Sequence, residues 1–142
     1  MRGYYGIALY QPKCEPNMGT TLRNAFCFGA AFIATIGARY HRQITDTPGT
    51  PNHVPLFHYD TLDDFLKHRP HDCEIVRVEV DGKTDLPRFT HLPRAVYVFG
   101  GEDRSVPKHV GERSIRMETR ECLNLAVTTG IVMYDRSAKG VR

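Results

Sequence analysis

Three pieces near the start of the chain decide the fold: YYGIALY at residues 4–10, NMGTTLRNAFCF at 17–28 followed by Gly29, and FIATI at 32–36. The first and third are short runs of aromatic, aliphatic and β-branched residues with the composition of buried strands, and Gln11-Pro12 ends the first. Between them Asn17 stands where a helix N-cap belongs and Gly29 where a C-cap belongs, so 17–28 reads as a helix. Strand, loop, helix and strand make a βαβ unit. The fold is therefore expected to be α/β with a parallel sheet, and the loop before the helix falls at the carboxyl edge, where ligands usually bind.

Working outward, residues 37–55 hold Pro48, Gly49, Pro51 and Pro55 among polar residues and read as an exposed loop, a type of segment that often carries substrate contacts. Thr61-Leu62-Asp63-Asp64 opens a short helix with acidic residues in its first turn, ending near Arg69-Pro70. Residues 74–80 alternate apolar and charged positions, the pattern of a strand with one wetter face, and Asp81-Gly82 turns the chain. Residues 95–99 are a continuous apolar strand running into Gly100-Gly101. Pro107 is placed to start a short helix, 114–117 is a short strand, and 123–134 is the last helix.

At 142 residues the chain is expected to form one domain, with a single core and no room for an appended RNA-binding module. An apolar fraction of 41% and a charged fraction of 25% exclude a disordered protein. The net charge of +3 permits nucleic-acid binding without demanding it. Arginine outnumbers lysine; the planar fork suits phosphate, but a GC-rich coding bias produces the same skew, and both readings stay open. The most apolar stretch, 25–38, is too short for a bilayer span and is broken by Gly29 and Gly37, so no membrane association is expected. The first residues lack a basic start and apolar run, and a cytoplasmic location is expected. Cys14, Cys27, Cys73 and Cys122 are scattered without a C-x-x-C pair and read as reduced thiols. His68, His71 and Cys73 lie close in sequence, but Pro70 breaks any helix that could present them together and no fourth ligand is suitably spaced, so no metal is expected.

Three motifs carry the chemistry. The first is Asn17-Met18-Gly19 leading to Arg23 and Gly29. The second is Gly100-Gly101-Glu102 with Pro107 beyond it. The third is Ile115-Arg116-Met117 followed by Cys122-Leu123-Asn124-Leu125. Each has a purely structural reading: Asn17 caps a helix and Arg23 is a solvated cation, Gly100-Gly101 only turns the chain, and Asn124 heads a helix that packs Leu125, Val132 and Met133 into the core. Together, in this order and spacing, they resemble the three motifs of the SpoU-type branch of the SPOUT RNA methyltransferases, over residues 4–134. This chain departs from that pattern at Arg116, where proline is usual, at Cys122, where serine is usual, at Ser105, where glycine is usual, and by one residue fewer between Met117 and Cys122.

The resemblance implies a parallel sheet flanked by helices with a C-terminal deep trefoil knot, a homodimer, and S-adenosylmethionine as cofactor. It implies a ribose 2′-O-methyltransferase acting on RNA, of the minimal kind that resembles the tRNA wobble-nucleotide enzymes. By the same resemblance Arg23, Asn17, Glu102 and Asn124 are the catalytic set. Val78, Gly100, Gly101, Ile115, Met117, Cys122 and Leu123 are the cofactor contacts, with Ile115 and Met117 lining the adenine pocket mainly through backbone groups. The departures leave a second class open, a catalytically weak relative that binds cofactor or RNA as a regulator.

Overall fold

The computed structural model describes residues 3–142, so the first two residues lie outside the description below. Seven strands form one sheet: β1 (Tyr4–Tyr10), β2 (Phe32–Ile36), β3 (Leu56–Tyr59), β4 (Glu74–Val78), β5 (Thr84–Asp85), β6 (Arg94–Gly100) and β7 (Arg113–Arg116). Their order is β3-β2-β1-β6-β4-β7-β5 and every pairing is parallel. All strands therefore end at one edge, and the loops leaving β1, β2, β4 and β6 gather there. β1 and β2 have the expected bounds because both are central and buried on both faces, the situation in which an apolar run marks a strand directly.

Three helices cover the sheet: α1 (Glu15–Phe28), α2 (Leu62–His68) and α3 (Leu125–Ala138). α1 and α3 lie on one face, where Met18, Leu22, Ala25, Val132 and Met133 pack on Tyr5, Ile7, Leu9, Tyr97 and Phe99. α2 lies on the other, with Phe65 against a cluster that includes Ala34, Ile36, Val96 and Val98. Thr61 caps α2 by accepting from Asp64 N, and Gly29 closes α1 at φ 78°, the left-handed conformation glycine adopts freely.

Several expectations are corrected. α1 begins at Glu15, before Asn17, because Pro16 presets the first-turn dihedral; its N-cap position is Cys14. Asn17 is thus freed from capping. The 74–80 segment forms a strand only to Val78 and has no wet face: Ile75 and Arg77 are 7% and 6% exposed, and Ile75 packs with Val106 and Val110 from the loop that closes over it. β3 and β5 were not anticipated. No helix starts at Pro107, where the chain makes a turn closed by Val110 N donating to Pro107 O. Leu123 lies outside α3, which begins at Leu125 and runs to Ala138, four residues past the expected end. The 37–55 loop is only partly exposed, since Asp46, Thr50 and Val54 are buried. No helix among the described residues is long and apolar enough to cross a membrane, and no three His, Cys, Asp or Glu side chains among them cluster as metal ligands would.

Candidate active site at the carboxyl edge of the sheet

Strand β1 delivers the chain to the edge at Tyr10, and Gln11 then takes a left-handed φ of 48° to turn it toward α1. The loop leaving β6 folds against that turn. Gly101 N donates to Tyr10 O at 2.8 Å, and a Cβ on Gly101 would run into the Gln11 carbonyl, as one on Gly100 would run into the Arg104 carbonyl. The two glycines are needed because the backbone approaches itself here.

The folded loop aims Glu102 at the start of α1. Its carboxylate accepts from Lys13 N at 2.8 Å, Cys14 N at 3.3 Å and Asn17 Nδ2 at 3.1 Å. These bonds satisfy donors at the entry to α1, where Cys14 makes no side-chain cap of its own. Partial burial pushes the Glu102 carboxyl up, but the bonds from Lys13, Asn17 and Cys14 outweigh it and hold the group below its ordinary value. Asn17 in turn accepts from Asn124 Nδ2 at 3.0 Å. Asn124 is the N-cap of α3, its Oδ1 accepting from Ala126 N at 2.9 Å and Val127 N at 3.2 Å. One chain of hydrogen bonds thus joins the three motifs.

Beside it opens a cleft of about 500 Å³ between the loops that follow β4, β6 and β7, within the range of roughly 300–1,000 Å³ typical of small-molecule sites. Val78, Gly100, Gly101, Met117, Cys122 and Leu123 line it, as do Glu102 and Asn124. Ile115 does not. It is fully buried behind the wall, and its carbonyl accepts from Glu79 N at 3.0 Å. Arg23 also stands apart: it is exposed on α1 and lines neither this cleft nor the groove between α1 and α3.

The expected residues did not include Glu79, which lines the cleft and ties two of its walls together by accepting from Val106 N. Burial raises its carboxyl above the ordinary value, more than the Val106 bond lowers it. Its place directly after Val78 was the available signal. Asp103 sits at the mouth, paired with Lys13 at 2.5 Å. Arg116, one of the departures, has a structural role here: Nε donates to Asp85 at 2.8 Å and Nη1 to the Gly82 carbonyl at 3.1 Å, fixing β7 to β5 and to the turn between β4 and β5.

A parallel α/β protein with an open cleft at the carboxyl edge, bordered by three sequence motifs, is the class these features define. The model of the SpoU rRNA Methylase family matches residues 5–134, and the chain belongs to that family. No curated protein matches the chain. Among solved structures it is similar to an AdoMet-bound rRNA methyltransferase from Sinorhizobium meliloti (20% identity, TM-score 0.82, covering 100% of this chain and 59% of that one). It is similar also to a protein described in connection with 2-OH methylation of C/U34 on tRNA (22% identity, TM-score 0.81, 97% and 98%). A third is the SpoU methyltransferase AviRb from Streptomyces viridochromogenes (14% identity, TM-score 0.84, 99% and 62%). The chain thus spans about three fifths of the first and third proteins and nearly all of the second.

Proposed function

We propose that the chain is an S-adenosylmethionine-dependent methyltransferase that modifies a ribose 2′-hydroxyl of RNA, with tRNA as the substrate class, and that it works as a homodimer with the C-terminal segment threaded as a trefoil knot. The observation that carries this reading is the hydrogen-bonded line Glu102–Asn17–Asn124 at the rim of the cleft. The residues present fit the cofactor. The wall formed by Val78, Phe99, Met117, Leu123 and Leu125 is apolar enough for an adenosine group, and Glu79, Glu102 and Asp103 provide carboxylates near a sulfonium cation. Val78, Gly100, Met117, Cys122 and Leu123 would hold it; when bound, it supplies the methyl group to an oxygen nucleophile.

The chain's own residues have to position that nucleophile. A guanidinium keeps its proton near neutral pH, so Arg23 is not a base. Its role is to bind the substrate phosphate, orient the hydroxyl and lower the cost of the developing alkoxide, whose proton is lost late to phosphate or water. Arg23 is exposed and does not line its own cleft, which favours a site completed by a second copy. The exposed apolar residues Phe28, Val127, Ile131 and Tyr134 beside the α1–α3 groove are the surface proposed to pair.

The test is incubation with labelled S-adenosylmethionine and unmodified total RNA, followed by identification of the labelled nucleoside. A 2′-O-methylnucleoside formed by the wild type, with turnover lowered by orders of magnitude in Arg23→Ala and cofactor affinity kept, is the expected result. Cofactor binding without transfer to any RNA would favour the regulator.

A further inference from the structure

Residues 37–55, between β2 and β3, leave the same sheet edge as the cleft loops and carry Arg39, His41, Arg42 and His53 with a single carboxylate, Asp46. That carboxylate is turned inward. Asp46 is 1% exposed, and its oxygens accept from Thr50 N at 2.9 and 3.1 Å, from Thr50 Oγ1 at 2.6 Å and from Tyr40 OH at 2.9 Å. The Tyr40 oxygen accepts in turn from Gln43 N at 3.1 Å. Arg39, His41 and Arg42 are exposed, and no salt bridge among the described residues includes them. The loop therefore presents cations on its surface from a backbone already ordered by a buried anion.

The loop is docked along one side of α1. Thr45 Oγ1 donates to Pro16 O at 3.0 Å and Gln43 Nε2 to Glu15 Oε2 at 3.4 Å. Gly19 lies beneath them, where a Cβ would collide with Thr45 Oγ1 and stand 2.5 Å from Gln43 Cβ. Farther along, the His53 ring packs on Phe26 with centroids 4.9 Å apart. Arg23 comes four residues after Gly19 and three before Phe26, a spacing that sets it on the same side of the helix, between the two contacts. The Arg42 guanidinium in turn lies over Gly49, with Nη1 3.4 Å from where a Cβ would stand.

We propose that this loop is a preformed phosphate-binding platform for RNA, in which Arg39 and Arg42 take backbone phosphates of the strand flanking the nucleotide held at Arg23. The inference rests on the RNA methyltransferase reading and adds where the strand runs. The guanidinium fork matches a phosphate with two parallel hydrogen bonds. Phosphate contacts set register and orientation without reading base identity, which is what a ribose-directed reaction requires of its surroundings. Because the platform is ordered before RNA arrives, binding does not have to supply the ordering entropy of this long loop. Gly19 of the first motif acquires a reason on this view: it lets the platform seat against the helix that carries Arg23.

The experiment is a titration of an unmodified tRNA pool at rising salt, comparing wild type, the double variant Arg39→Ala/Arg42→Ala, and Arg42→Lys, beside calorimetry with S-adenosylhomocysteine. The double variant should bind RNA at least about tenfold more weakly at low salt. Its log–log salt slope should be shallower by roughly 1.4 to 1.8, the release expected for two lost phosphate contacts. KM for tRNA should rise while kcat and S-adenosylhomocysteine affinity stay near wild type, and Arg42→Lys should retain most of the salt slope because it keeps the charge. A double variant with wild-type RNA affinity and slope overturns the platform while leaving the enzyme reading intact. A wild type that neither binds nor methylates any RNA in the pool removes both.

Discussion

Asn17 on α1 and Asn124 at the head of α3 are joined by a hydrogen bond of 3.0 Å across 107 residues of chain, and only one orientation of the two amides satisfies their neighbours. Glu102 as a carboxylate can only accept, so Asn17 turns its NH2 toward it and its oxygen toward Asn124. The Asn124 oxygen is taken by Ala126 N and Val127 N, so its NH2 is what faces Asn17. Asn17→Ala should lower methyl transfer at least about tenfold and cost about 1 kcal/mol of stability, the usual net value of such a bond. Asn17→Asp should do worse on both measures, because it sets a second carboxylate against Glu102. Urea unfolding and single-turnover transfer by the two variants check the order.

The same line has a pH signature. Glu102 is held below its ordinary value of 4.5 by bonds made only in the folded state. A depressed carboxyl contributes stability that is present above the unfolded value and lost as pH falls through the folded one. Wild type should therefore have a higher Tm than Glu102→Gln near neutral pH, and the gap should close as pH drops below about 4.5. A gap of constant size across that range would show that the glutamine variant lost packing rather than charge.

How much of this could be read from residues alone depends on what makes each signal local. β1, β2 and the apolar core of β6 are runs of buried residues, and the caps Thr61 and Gly29 act within one turn. β3 escaped because LFHY follows a proline and is only half-buried, and β5 because two residues carry no period. Of the motif residues, Gly100, Gly101, Glu102, Met117, Cys122, Leu123 and Asn124 line the cleft; Asn17, Arg23 and Ile115 do not, and Glu79, Val80, Asp103 and Thr119 line it without belonging to a motif, because placement there depends on contacts between distant loops. Arg136 shows the limit most sharply: nothing in the residues around it near the end of α3 marks it for the interior, yet it is fully buried. Its partners, Leu92 O, Pro93 O and the Tyr97 hydroxyl, come from a segment some forty residues earlier.

That buried arginine belongs to a polar cluster at the amino edge of the sheet, opposite the cleft. His91 bonds Tyr97 OH at 2.6 Å and Asp135 at 2.7 Å, Lys139 pairs with Asp135, and the Arg136 guanidinium lies 4.9 Å from the Tyr5 ring centre. Arg136→Met leaves the Leu92 carbonyl without a partner, while the Pro93 carbonyl keeps Tyr4 N and the Tyr97 hydroxyl keeps His91, so the loss should be about 1–3 kcal/mol. Cofactor affinity of the folded fraction should be unchanged. Burial also holds His91 below its ordinary 6.5, with Asp135 only partly offsetting it. The unfolded chain then takes up a proton first, so stability should be complete above pH of about 6.5 and decline as pH falls below it. Chemical denaturation at several pH values, with His91→Gln as the variant lacking this slope, measures it.

Thiol chemistry gives an independent view of the cleft. Cys73 is 1% exposed and burial raises its pKa to about 11, so at neutral pH it has little thiolate and little access to reagent. Cys27 and Cys122 are exposed, and Cys122 lies in the cleft wall two residues before Asn124. In a Cys27→Ser background, a small alkylating reagent should modify Cys122 and leave Cys73 untouched under native conditions, with Cys14 reacting more slowly than Cys122 because it is only partly exposed. Saturating S-adenosylhomocysteine should slow the Cys122 reaction at least about tenfold, since a ligand filling the cleft covers that sulfur. Cys122→Ser should bind the cofactor as well as wild type or better, because a hydroxyl is the stronger hydrogen-bonding partner. Peptide mapping of the modified protein reads both rates. Equal labelling of Cys122 with and without saturating S-adenosylhomocysteine would place the ligand somewhere other than this cleft.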